Sequence, residues 1–222
     1  MDWDLIIFDC DGVLVNSEPI GNRLIAEALT DAGLPMSSDG ALYEFLGGKL
    51  TLIKLGAEEK LGRKLPDDWV DKIYEKQFAA FQTELEKIPG IDGVLDAIEA
   101  ADVPMCVGSN GPPNKMEVSL GITGLYPRFD GRIYSADHVG VAKPAPDLYL
   151  HCAKMMGADP SRCAVIEDSP RGATAGVAAG MTVFGFGADS DGDKLRAVGC
   201  AEVFMEMPEL TALLKRGSPR AS

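Results

Sequence analysis

Asp9 and Asp11 stand two residues apart at the end of the apolar run DLIIF. At a strand end that spacing leans both side chains to one side while Cys10 faces away. Two carboxylates so close repel, and a divalent cation or a shared proton relieves the cost. Two later apolar runs also end in polar residues, Ser109 and Asn110 in one case, Glu167 and Asp168 in the other. Lys143 lies in the loop VGVAKPAPD, ahead of a stretch with helical spacing. Oxygen donors of this kind suit Mg²⁺, which keeps several waters and accepts phosphate oxygens as ligands. With a lysine for charge and neutral donors beside it, the set fits phosphoryl transfer, where positioning and neutralisation do most of the work. Each member also has a plainer reading. A lone DxD is commonly a solvated turn, Ser-Asn after a strand an N-cap, a loop lysine an exposed cation, and Glu-Asp before Ser-Pro a cap in which Asp168 or Ser169 takes part. What favours chemistry is that all four groups fall at strand ends or adjoining loops of one pattern.

That pattern is a series of β-α units. After the first strand, residues from Ser17 to about Leu85 read as helical, with Ser17 as cap of the first helix and Gly33 as its stop. Further helices are expected over Ala41–Leu46, Leu50–Leu61 and Asp67–Phe81, and no convincing strand falls among them. Beyond Pro89-Gly90, strands over Val103–Gly108, Ile133-Tyr134, Cys163–Ile166 and Thr182–Phe186 alternate with helices. Alternation of this kind predicts a doubly wound, parallel, Rossmann-like α/β sheet with helices on both faces. Ligands of such sheets bind beyond the carboxyl ends of the strands, where the polar residues above belong. One strand followed by a long helical passage marks an inserted all-helical cap domain, residues 16–87, within a catalytic core formed by 1–15 and 88–222.

Bulk properties narrow the alternatives. A chain of 222 residues with 46% hydrophobic and 25% charged residues can bury a substantial core. Its net charge of −13 argues against nucleic acid and anionic membrane surfaces as partners. The N-terminus MDWDLIIFDCDG lacks the basic start of a signal peptide, so the five cysteines are expected as reduced thiols in the cytoplasm, with Cys106 and Cys163 in the core. A monomer or weak homodimer acting on a small phosphorylated metabolite is the expected form.

The words FDCDGVLVNSE (Phe8–Glu18), VGSNG (Val107–Gly111), KPAPD (Lys143–Asp147) and VIEDSPRGATAGVAAGM (Val165–Met181) together resemble the haloacid dehalogenase superfamily, in the family's order and spacing. The resemblance is to its phosphatases and phosphomutases with a helical cap after the first strand. It implies Asp9 as a nucleophile that takes the phosphoryl group and binds Mg²⁺, and Asp11 as general acid/base with its main-chain carbonyl on the metal. It further implies Ser109, with Asn110 and Gly111, as donors to the phosphoryl oxygens, Lys143 as counter-charge, Asp168 as metal ligand and Glu167 as a ligand directly or through water. An acid role for Asp11 calls for a pKa above the free value. An acid at position 11 separates the chain from the dehalogenase branch. Where β-phosphoglucomutase-like members carry a cap histidine this chain has Gly21, and His138 and His151 read as structural. The stretches FLGGKLTLI, ELEKIPGI and PMCVGSNGPPNKMEVSLG are similar to those of 6-phosphogluconate phosphatases. Lys49 and Lys115 are candidates to meet the distal part of such a substrate, and equally readable as surface lysines. The resemblance thus implies a phosphatase for a small sugar or sugar-acid phosphate, with a phosphomutase or a phosphoglycolate-type phosphatase as alternatives.

Overall fold

The computed structural model describes residues 1–37, 50–188 and 190–217. Its centre is a parallel sheet of six strands among the described residues: β1 (Leu5–Phe8), β2 (Met105–Ser109), β3 (Ile133–Ser135), β4 (Cys163–Glu167), β5 (Thr182–Phe186) and β6 (Glu202–Phe204), in the order β3-β2-β1-β4-β5-β6. Continuous apolar strands are what a sheet covered on both faces requires. In β1, Leu5 and Ile7 point into one apolar layer while Ile6 and Phe8 point into the other. Cys163 and Val165 of β4 alternate with Ala164 and Ile166 in the same way, so β1 pairs with β4 without mismatch, from Leu5 opposite Cys163 to Phe8 opposite Ile166. Cys106 and Cys163 are buried as expected, and all five cysteines are free thiols.

One layer holds the helices α4 (Ile91–Glu99), α5 (Pro113–Ile122), the single turn α6 (Tyr126–Phe129) and α10 (Met207–Lys215). The opposite layer holds α7 (Asp147–Met156), α8 (Pro170–Ala178) and α9 (Gly192–Ala197). The short elements α6, α9 and β6 carry too few residues to show a period, and sequence reading passes over them. Strand order makes β1 central, with chain connections departing to opposite sides of it. A sheet of this kind opens a crevice at that point, beyond the carboxyl ends of the central strands.

Between β1 and α4 the chain forms α1 (Glu18–Asp31), α2 (Leu50–Leu61) and α3 (Trp69–Glu84), with no strand among the described residues of this stretch. These helices enclose an apolar cluster of their own, which includes Ile25, Leu29, Ile53, Trp69 and Ile73. The helix expected over Ala41–Leu46, and Lys49, lie outside the described residues. The two connections to the sheet domain run side by side: Ile88 N–H donates to Leu14 O at 3.1 Å, and Asn16 N–H to Glu86 O at 2.9 Å. We propose the boundary between core and cap at this crossing. Ser17 does not cap α1 as expected; its hydroxyl donates to Asp11 Oδ1 instead. An N-cap serine needs extended backbone, whereas Ser17 is already helical at φ −89° and ψ −17°.

Candidate active site

Asp9 follows β1 directly, Ser109 closes β2, Glu167 closes β4 and Asp168 follows it, so neighbouring strands deliver their polar ends to one edge. Lys143 arrives from the loop before α7 and, far from being an exposed cation, is only 3% exposed. Its Nζ donates to Asp9 Oδ1 at 2.7 Å and to Glu167 Oε1 at 2.6 Å. The ring of Tyr149 lies 4.6 Å beneath it, and the Tyr149 hydroxyl donates to the same Glu167 oxygen at 2.7 Å. A cation so enclosed persists because acids and an aromatic face replace its water. The other Glu167 oxygen accepts from the Ser169 N–H at 3.1 Å and its hydroxyl at 3.0 Å, and that hydroxyl caps α8 by accepting from Gly172 N–H. A Cβ on Gly172 would sit 1.7 Å from Glu167 Oε1, which accounts for a glycine there. Gly12, at φ +77°, likewise yields to Asp168, whose Oδ2 would be 2.2 Å from a Cβ.

Main-chain links fix the rest. Lys143 N–H donates to Asn110 Oδ1 at 2.9 Å, tying the lysine loop to the end of β2. Gly111 N–H donates to Ser109 Oγ at 3.1 Å, and Ser135 of β3 donates to Gly111 O at 2.7 Å. Neither Ser109 nor Asn110 caps a helix; the N-terminus of α5 is entered through Pro112. Cys10 faces away into the core, as its spacing requires.

Acids outnumber cations at this edge, and their protonation shows it. Burial pushes the Asp9 carboxyl up to about 7 against the pull of Lys143, with Glu167 and Asp11 adding repulsion. Asp168 is driven well above the ordinary carboxylate range by burial and by Glu18, Glu167 and Asp9. Burial also raises Glu18 to about 8, with Asp11 and Asp9 contributing. For Lys143, burial opposes the charge, yet Asp9 and Glu167 outweigh it and hold the ammonium above its usual value. Carboxylate oxygens of Asp9, Glu167 and Asp168 lie within 4.8 Å of one another, all buried. Hard oxygen donors with an excess of negative charge fit a divalent cation.

Asp11 departs from expectation. Lys115, on α5, places its Nζ 2.7 Å from Asp11 Oδ1, and Ser17 donates to the same oxygen. Burial alone would raise this carboxyl, but Lys115 and Ser17 hold it below its ordinary value, not above it. Lys115 therefore reaches the pocket, as one of its two readings allowed, but its partner there is Asp11.

The cap closes over this edge and leaves a cavity of about 120 Å³. Glu18, Asn22 and Ile25 of α1, and Tyr74 and Gln77 of α3, face it from above. Sequence reasoning assigned no role to Glu18, Tyr74, Gln77 or Tyr149. Glu18 lay inside a quoted motif, whereas Tyr149 and the α3 residues reach the cavity only through tertiary packing. His138 and His151 stand apart from it, on the β3 side, where Ser135 N–H donates to His138 Nδ1 and the two rings lie 6.2 Å apart.

Known proteins share this fold. The profile of the haloacid dehalogenase-like hydrolases matches residues 3–180. The 6-phosphogluconate phosphatase of Escherichia coli K12 is 36% identical over 187 residues, covering 84% of this chain and 83% of its own. A conserved haloacid dehalogenase-like protein of Agrobacterium tumefaciens superposes with a TM-score of 0.80 at 34% identity, covering 96% of this chain and 98% of its own. A haloacid dehalogenase family hydrolase of Deinococcus radiodurans, solved with bound phosphate and sodium, superposes with a TM-score of 0.77 at 33% identity over 96% of each chain. The chain belongs to the haloacid dehalogenase-like hydrolase family.

Proposed function

From membership of this family we propose that the chain is a phosphatase for a small phosphorylated sugar or sugar acid, with 6-phosphogluconate the compound to try first. The reaction passes through a phosphoaspartate on Asp9. The observation that carries this reading is the buried Asp9–Lys143–Glu167 chain, 2.7 and 2.6 Å between partners, at the carboxyl edge of the sheet. It leaves a carboxylate beside a fixed cation at the floor of a cavity, the conditions under which a weak oxygen nucleophile attacks phosphorus. The Escherichia coli relative and the phosphate in the Deinococcus structure support the same substrate class.

Asp9 attacks phosphorus as the ester P–O bond breaks, and Asp11 gives the leaving alkoxide its proton. Water then attacks the phosphoaspartate, Asp11 takes a proton from it, and the bond from phosphorus to Asp9 breaks to release phosphate. Ser109, Asn110 and Gly111 orient the phosphoryl oxygens at the end of β2. Asp9, Asp168 and the main-chain carbonyl of Asp11 would hold Mg²⁺, with Glu167 reached through water because its oxygens already accept four hydrogen bonds. When bound, the cation neutralises charge on the phosphoryl group. The carboxylate form in which Lys115 and Ser17 keep Asp11 suits the second half of the cycle. A substrate carboxylate that draws Lys115 away would prepare Asp11 for the first half. Gly21, which offers no cap histidine, favours water over a second sugar as final acceptor. Free thiols are in keeping with a reducing cytoplasm.

The test is phosphate release from a panel that includes 6-phosphogluconate, phosphoglycolate and β-glucose 1-phosphate, with Mg²⁺ and then with EDTA. Release from 6-phosphogluconate above the others, lost with EDTA, is expected. Isomerisation of β-glucose 1-phosphate without net release would establish a mutase instead.

A further inference from the structure

Gln77 belongs to α3 in the cap, is 4% exposed, and lines the cavity. Its Oε1 is the only buried side-chain nitrogen or oxygen without a hydrogen-bond partner among the described residues. Folded proteins rarely leave such an atom unpaired, and one that stays so beside a cavity is open to a donor brought by a ligand. The sequence also holds room for this amide. Gly21 lies inside α1, where glycine is ordinarily unfavourable, and a Cβ there would press on Gln77 Nε2 at 3.2 Å. Bare backbone at position 21 therefore lets the amide of Gln77 occupy the place it has.

The chemistry of the ligand group follows from the atom left open. A carbonyl oxygen needs a donor, and a carboxylate or phosphate at neutral pH offers none. Among the described residues that face the cavity from α3, Tyr74 and Gln77 are both uncharged, and they lie three positions apart on one helix face. The floor opposite carries Asp9, Lys143 and Asp168, which fit the phosphate end of a substrate. The two ends of the cavity thus ask for different groups on one molecule. We infer that Gln77 is a specificity residue whose Oε1 accepts a hydrogen bond from a chain hydroxyl of a phosphorylated polyol or sugar acid, and that Gly21 is what keeps its amide in position. The inference rests on the phosphatase reading above and deepens it. It adds that the cap selects for hydroxyls along the carbon chain, so that a two-carbon phosphate such as phosphoglycolate lacks the group being read.

The experiment compares kcat/KM for 6-phosphogluconate and for glucitol 6-phosphate, each divided by the value for p-nitrophenyl phosphate, which has no hydroxyl. The full chain is used in three forms: wild type, Gln77→Met and Gly21→Ala. Gln77→Met keeps the length of the side chain and its helix preference, and should lower both ratios about tenfold, the loss of one hydrogen bond to the substrate. Gly21→Ala favours the helix, so its melting temperature should not fall, yet both ratios should drop several-fold as the amide is displaced. If Gln77→Met loses activity equally on all three substrates, or on none, the amide is structural and the inference is overturned. A wild type that hydrolyses p-nitrophenyl phosphate but prefers neither polyol overturns it as well, with the phosphatase reading intact. Absence of release from any of the three would overturn that reading, and the inference with it.

Discussion

Lys143 on the floor of the cavity and Gln77 in its roof are almost equally buried, at 3% and 4% exposure, yet their surroundings are opposite. The hydrogen bonds of the floor are made before any substrate arrives. Lys143 donates to two acids, Glu167 accepts from four donors, and glycines at 12 and 172 give way so that the carboxylates can approach. The roof retains an acceptor with nothing to accept. A floor of this kind holds reacting groups in place without reorganisation, as electrostatic catalysis requires. A roof with an open demand is met by particular ligands only. On the reading proposed above, reaction falls to the floor and selectivity to the roof, and a substitution should reveal on which side it lies.

The largest effect is expected at Asp9. Asp9→Asn should lower phosphate release from every ester by roughly 10⁴-fold or more, as removal of a nucleophile does. Hydrolysis at a near-normal rate, followed by phosphate assay, would mean that the floor is not where the reaction occurs. Lys143→Met should cost about 10²–10³-fold in kcat, again without regard to the alcohol. It also leaves Asp9 and Glu167 buried without their cation, a loss of about 3 kcal/mol readable in urea unfolding. Lys115 sits between the two regions and should show a mixed result. Lys115→Met removes the charge that opposes burial at Asp11, so the Asp11 carboxyl rises and the pH profile of kcat/KM moves to higher pH. For a substrate that carries a carboxylate, KM should also rise about tenfold. An unmoved profile would show that the pair does not govern Asp11.

The smallest effect concerns stability. Asp9 and Glu18 have folded pKa values near 7 and 8, above the 3.8 and 4.5 of the free groups. Between about pH 4 and 8 the folded state thus holds protons that the unfolded chain has released, and without a divalent cation stability falls as pH rises through this window. Melting temperature in EDTA should be a few degrees higher at pH 5 than at pH 8. Added Mg²⁺ should raise it more at pH 8 than at pH 5, because the cation competes with those protons. Equal shifts at both values would detach the acid cluster from cation binding.

The floor was legible in the sequence because strand ends announce themselves: an apolar run stops and a polar residue follows at the edge where parallel sheets bind ligands. Asp9, Ser109, Glu167 and Asp168 were found in this way, and Lys143 by its loop. What surrounds them was not. Tyr149 lies in the first turn of α7 and reads as one more apolar position until the fold brings its hydroxyl to Glu167. Ser17 has the grammar of an N-cap, but its backbone is already helical, at φ −89° and ψ −17°, and its hydroxyl goes to Asp11, a contact that only the folded chain makes evident. The pairing of Asp11 with Lys115 reversed the expected direction of its pKa, since crowding by acids was visible in the sequence and a lysine on a later helix was not. Gln77 has no signature at all. Its significance comes from Gly21, 56 positions earlier in the chain, and only helix docking joins them.

The central place of β1 also orders events in time. Leu5 pairs with Cys163 and Ile6 with Met105, so the first strand to be synthesised is flanked by partners made much later. At about 5–20 residues per second, the ribosome needs roughly 10–30 s after Leu5 to reach Cys163. During that interval residues 16–87, whose helices have an apolar cluster of their own, can gather while LIIF waits with its edges unpaired. Asp9 is among the first residues made, and the site around it is among the last things finished. A nascent chain stalled before β4 would present an apolar strand to chaperones or to another copy of itself.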